Sequence, residues 1–124
     1  MAPIRACAAA AAFALAAQAA PALAEDWEFI LVNDVGAPIK AAELRPAGGS
    51  GWVPGRFADS RPATGLNVGL RDSVAFDKPG DLCRYDIRLT FGQGSTAIWS
   101  NVDLCRNAYV TAHYRNGTAT VEAH

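Results

Sequence analysis

Histidine, basic clusters and long apolar runs are all scarce in this chain. Of its 124 residues two are histidine, His113 and the terminal His124. A catalytic triad would have to rest on His113, and a histidine-rich metal site has no ligands to draw on. There is no C-x-x-C, no P-loop lysine after the glycines, and no third glycine behind Gly92-x-Gly94 to complete a dinucleotide fingerprint. Ser50, in Gly48-Gly49-Ser50-Gly51, lacks the downstream glycine of a nucleophile elbow, because Trp52 stands there. No cofactor and no resident metal are expected. Eleven Lys+Arg against twelve Asp+Glu leave a net charge of −1 with no basic block, which argues against nucleic acid or an anionic membrane surface as a partner.

The one markedly apolar stretch is N-terminal. Arg5 precedes the run from Cys7 to Ala17, and Pro21-Ala22-Leu23-Ala24 follows it. Charged start, apolar middle and small-residue end are the three parts of a secretory signal. The run is far short of the roughly 20 apolar residues a spanning helix needs. Residues 1–24 are therefore expected to form a helical signal peptide that is removed. No twin-arginine pair is present, so general export to the periplasm or the exterior is expected, leaving residues 25–124 as one domain with no transmembrane segment. Loss of Arg5 takes the eleven Lys+Arg to ten against twelve acids, a net charge near −2.

Cysteine usage agrees with that address. Cys7 leaves with the signal, and Cys83 and Cys105 remain, an even pair that reads as a disulfide in an exported chain. Closing their loop should stabilise by about 3 kcal/mol.

After residue 25 the apolar pattern has a period of two rather than 3.6. Trp27 to Val32 reads as a first strand and Ile39 to about Arg45 as a second. Leu66, Val68 and Leu70 read as a third, followed by a turn-rich stretch from Arg71 to Asp81. Cys83, Tyr85, Ile87, Leu89 and Phe91 alternate with Arg84, Asp86, Arg88 and Thr90, which marks a half-buried antiparallel strand. Gly92 to Ser95 turns the chain back through Thr96 to about Leu104. Equal offsets would place Cys83 opposite Cys105, but would also turn Asn101 and Asp103 inward. A bulge near Ser100-Asn101 would bury Val102 and Leu104 instead and shift the pairing. Asn107 to Tyr114 and Thr118 to about Ala123 form a last hairpin around Asn116-Gly117, a type I′ turn signal. About seven short strands in about 100 residues predict an all-β, small antiparallel β-sandwich compatible with an immunoglobulin-like arrangement, with a small barrel as the alternative.

The remaining chemistry-bearing groups are few. Asp72, Asp77 and Asp81 match no calcium-loop spacing and alternate with Arg71, Lys78 and Arg84, as in a solvated turn. Asn116-Gly117-Thr118 fits a glycosylation acceptor, although the hairpin alone accounts for Asn-Gly. The stretch Pro46 to Arg61 is the longest irregular segment, and it carries Trp52, Arg56, Phe57 and Arg61. Trp and Arg are the side chains most often found at binding hot spots. But a domain this small needs its large apolar groups in the core, which favours Trp52 or Phe57 folding back to plug the open end of the sandwich. Two functions fit. One is a non-catalytic binding or interaction module with a protein or glycan partner in the envelope, touched through Trp52, Arg56, Phe57 and Arg61. The other is a small exported hydrolase whose active site has no known motif.

The elements Phe29-x-Leu31-Val32-Asn33-x-x-Gly36-x-x-Ile39, Gly51-Trp52, Cys83-x-Tyr85-Asp86-Ile87 and Val102-Asp103-Leu104-Cys105 span most of the chain after the signal. Together they resemble an uncharacterised family of small exported bacterial proteins with an LVN-x-x-G … C-x-(W/Y)-D … (V/N)-L-C signature. The resemblance implies a secreted, disulfide-bridged β domain and assigns no activity or site residue.

Overall fold

The structure, a computed structural model, describes residues 24–59, 65–79 and 81–124. The expected signal helix, apart from Ala24, and Arg61 lie outside the described residues.

Among the described residues nine strands form: β1 (Ala24–Asp34), β2 (Ile39–Pro46), β3 (Val53–Pro54), β4 (Arg56–Phe57), β5 (Arg71–Pro79), β6 (Arg84–Phe91), β7 (Thr96–Asp103), β8 (Tyr109–Arg115) and β9 (Thr118–Ala123). They make two sheets, β4-β5-β1-β8-β9 and β3-β2-β6-β7. The alternation seen in the sequence decides which side chains meet. Phe29 and Leu31 of β1 and Val74 and Phe76 of β5 face Ala42 and Leu44 of β2 and Tyr85, Ile87 and Leu89 of β6, all buried. Ring pairs join the two layers: Phe76 meets Tyr85 edge-on at 5.1 Å, and Phe91 meets Tyr114 at 5.6 Å. The inner face of β7 contributes Trp99, 2% exposed, whose indole N–H donates to the carbonyls of His113 (3.1 Å) and Thr120 (2.8 Å).

The all-β sandwich expected from alternation is present, with differences in detail. One pair, β1 with β8, is parallel, so the sandwich is mixed rather than wholly antiparallel. The chain builds all of the second sheet and one flank of the first before β8 returns beside β1, which supplies the long crossover a parallel pair requires. The expected strand over Leu66 to Leu70 is absent: Leu66 makes a single bridge to Ile39, and Val68 and Leu70 point into solvent. The adjacent stretch expected to turn, Arg71 onward, is instead β5, paired with β1 from Val32↔Arg71 to Ala24↔Pro79. Its Asp and Ser residues favour turns locally, but Val74 and Phe76 gain the whole core on one face, and packing outweighs local preference.

The Cys83–Cys105 disulfide forms, with Cα atoms 5.1 Å apart. The equal-offset register that would set Cys83 directly opposite Cys105 does not form: Arg84 pairs with Asp103 and Leu89 with Ala97. Registration skips between Tyr85↔Val102 and Ile87↔Trp99, and Asn101 adopts φ +59°. This bulge is what buries Val102 (3% exposed) and Leu104 (2%) and releases Asn101 to solvent. At the far end Asn116 and Gly117 both have positive φ, 54° and 78°, as a type I′ turn demands.

Candidate functional site

The segment after β2 is more ordered than its glycine content predicts. From Pro46 it crosses the outer face of the second sheet and joins the edge of that sheet as β3 (Leu44↔Val53). At Gly55 it passes to the other sheet and pairs there as β4 (Phe57↔Val74). Gly55 donates its N–H to the Ala42 carbonyl at 2.8 Å. A Cβ at that position would stand 2.7 Å from Val74 Cγ1, so the crossing requires a residue with no side chain.

This path separates the four candidate residues. Phe57 is half-buried and packs against the core, plugging the flank of the sandwich. Arg56 is exposed on the edge of the first sheet, 3.5 Å from Asp77. Trp52 lies on the opposite side, over the outer face of β2 and β6. The guanidinium carbons of Arg45 and Arg88 sit 4.4 and 4.3 Å from its ring centroid. Trp52 is therefore neither a core plug nor a free side chain: it is half-buried in a stack with two cations on a wet face.

Each cation is fixed a second time. Arg45 Nε–H donates to Asp86 Oδ2 at 2.9 Å, and Arg88 Nε–H donates to Glu43 Oε1 at 2.8 Å. Among the described residues no acceptor is within hydrogen-bond reach of the terminal NH₂ groups of either arginine. Asp86 is the anchor beneath. It is 3% exposed and also accepts the N–H of Gly48 (Oδ2, 3.2 Å) and of Asn101 (Oδ1, 3.0 Å). One carboxylate thus ties the crossing segment, the β7 bulge and Arg45 together. Burial pushes the Asp86 carboxyl up, but the Asn101 N–H, the Arg45 guanidinium and the Gly48 N–H outweigh it and hold the group below the usual carboxylate range.

Arg45, Asp86, Arg88 and Glu43 were not picked out by sequence reasoning as a group. Alternation does put Arg84, Asp86, Arg88 and Thr90 on the wet face of β6. What was missing is the register that sets Glu43 opposite Arg88 and Arg45 opposite Asp86.

Other polar groups assemble less. His113 Nδ1 is 2.7 Å from Asp34 Oδ2, the orienting half of a triad, yet its Nε2 is buried without a hydrogen-bond partner. The Glu122 carboxylate is 3.5 Å from that atom but poorly aligned with it. A general base needs that nitrogen to reach a nucleophile. The loop acids do not converge either: Asp72 is buried and accepts the Ser73 N–H, while Asp77 faces Arg56. Cys83, Asp103 and Cys105 are the one grouping of metal-ligand types among the described residues, and both sulfurs are already bonded to each other. No cavity opens among the described residues. No family model, curated protein or solved structure matches this chain.

Proposed function

We propose that this chain is an exported, non-catalytic binding module of the bacterial envelope or exterior, and that it engages a protein or glycan partner through the Trp52 platform. The observation that carries this is the placement of Trp52. A large aromatic group is held on the outside of the sheet by two guanidinium groups instead of being spent on the core. Rigid aromatic and arginine side chains lose little freedom on binding and dominate interface energetics. The unused terminal N–H groups of Arg45 and Arg88 face any acceptor oxygens a partner brings, and arginine forks suit carboxylate and phosphate oxygens. Export is supported by the disulfide, by the signal-like start and by the resemblance to small exported proteins. No helix among the described residues is long and apolar enough to cross a membrane.

Affinity capture tests the proposal: the native chain and its Trp52→Ala variant are immobilised side by side and exposed to extract of the source envelope. A partner retained by the native chain and lost by the variant, with the variant still folded, is the expected outcome. Equal retention by both would sink the assignment of the site. Loss of a partner only when Phe57 or Arg56 is changed would move the site to the other sheet.

A further inference from the structure

A sheet edge must be paired, covered or blunted, because its free N–H and C=O groups are a template for another strand. Three of the four edges here are blunted. β3 and β4 are two residues long and carry Pro54 and Arg56, and β9 carries Glu122. The outer edge of β7 is not blunted, although β9 of the other sheet passes near it without pairing. Thr96-Ala97-Ile98-Trp99-Ser100 contains no charge, proline or glycine, and β7 is the last strand of its sheet.

The hydrogen-bond phase of this edge follows from the hairpin. Phe91 N–H donates to the Ser95 carbonyl at 2.8 Å, so bonded pairs recur every second residue, at Leu89↔Ala97 and Ile87↔Trp99. The N–H and C=O of Thr96, Ile98 and Ser100 therefore point away from β6. No other strand pairs with them among the described residues. The same three residues are exposed, and Ile98, at 41%, is one of the few large exposed apolar side chains. Beyond Ser100 the Asn101 bulge ends the regular edge.

We propose that this edge pairs with the same edge of a second copy, antiparallel and centred on Ile98, joining the two β3-β2-β6-β7 sheets into one. A twofold axis there sets Ile98 opposite its own copy and Thr96 opposite Ser100. The three outward-pointing residues of each chain meet the three of the other, so the edge is complementary to itself. Aliphatic and hydroxyl pairs are favourable across antiparallel strands. With no charge from Thr96 to Ser100, no like charges are forced together, the usual obstacle to self-pairing.

Sedimentation velocity over a concentration series, on the chain with its disulfide intact, tests this. A reversible dimer is expected, and Ile98→Lys should weaken it by roughly tenfold or more because two ammonium groups are then directly opposed. Ile98→Thr, which keeps a strand-favouring uncharged residue, should keep the dimer. Amide exchange supplies a second measurement on the unaltered chain. The N–H groups of Thr96, Ile98 and Ser100 should gain protection as concentration rises, while those of Ala97 and Trp99 stay protected throughout. A monomer at every concentration, a dimer unmoved by Ile98→Lys, or free exchange of the three outer amides at all concentrations would each overturn the proposal.

Discussion

Replacing Asp86 by alanine removes the acceptor of three hydrogen bonds at once, those from Arg45 Nε–H, Gly48 N–H and Asn101 N–H. The Asp86 side chain is 5% exposed and that of Arg45 is 27% exposed, so the pair is buried on one side and wet on the other. Removing one partner of a fully buried pair costs about 3–5 kcal/mol. Here the Arg45 head recovers some hydration, while each stranded amide N–H costs about 1–3 kcal/mol if water does not reach it. A loss of about 3 kcal/mol follows, a large share of the 5–15 kcal/mol typical of a folded domain. Asp86→Asn should cost slightly less. Its one carbonyl oxygen can keep the Asn101 N–H, but its NH₂ then faces the donors of Gly48 and Arg45. Urea unfolding at neutral pH reads both values. A loss below about 1 kcal/mol for the alanine variant, with an unchanged m-value, would refute the role given to this carboxylate.

Acid provides an independent check. Asp86 is held below its ordinary value, so the unfolded chain takes up this proton more readily than the folded one. Its contribution to stability is complete above the unfolded value of about 3.9 and is lost as pH falls through the lower folded value. Below about pH 4 the native chain should therefore lose stability more steeply than Asp86→Asn. Equal slopes would show that the carboxylate is not specially stabilised.

Trp52→Ala should lower stability by about 1–2 kcal/mol, two exposed cation–π contacts of about 0.5–1 kcal/mol each plus partial burial. A loss near 3 kcal/mol or more in urea unfolding would mean that the ring is a core plug after all. Reducing and alkylating Cys83 and Cys105, which are separated by 22 positions, should cost about 3 kcal/mol on the chain-entropy argument. Thiol titration of the denatured, unreduced chain should find neither of these two reactive. Gly55→Ala should cost about 1–3 kcal/mol, since the new methyl overpacks against Val74, Leu44 and the Ala42 carbonyl. A melting temperature within a degree of the native one would show that the crossing can relax.

The parts of this fold legible in the sequence are those set by neighbours in the chain. Alternation along β6 names the buried Tyr85, Ile87 and Leu89, Asn116-Gly117 marks a hairpin, and two cysteines flank another. The misassigned strand shows the limit of such local signals. Leu66, Val68 and Leu70 alternate, yet only Leu66 is buried, because Asn33 intervenes from a distance. Fully buried at the end of β1, Asn33 donates to the carbonyls of Ala37 and Leu66 and accepts the Val35 N–H. It pins Leu66 against Ile39, and the chain turns before a strand can form. Conversely, Arg71-Asp72-Ser73 has turn-forming residues but lies along β1, which pairs with it residue for residue from Val32↔Arg71. Period-two patterning states that a strand can bury one face, and says nothing about which edge is free to receive it.

The same limit explains why the candidate site was half visible. Pro46 to Arg61 stood out because it joins an aromatic group and arginines to glycines, a property of composition. Composition left open which of its aromatic rings would plug the sandwich, and the structure separates them: Phe57 packs against the core, and Trp52 stays outside. The division follows from Gly55. By letting the chain pass from one sheet to the other, it puts Phe57 against Val74 and leaves Trp52 on the far side of Leu44. There it meets outward side chains of β2 and β6. Those are Arg45 and Arg88, whose guanidinium carbons sit over the indole while Asp86 and Glu43 hold their Nε edges. A ring in that setting gains about 1–2 kcal/mol from its cations, well below the roughly 3–5 kcal/mol cost of deleting a buried tryptophan. Selection for stability alone would therefore favour burying it. A tryptophan kept on the surface by four charged side chains is the group on which the proposed binding role turns.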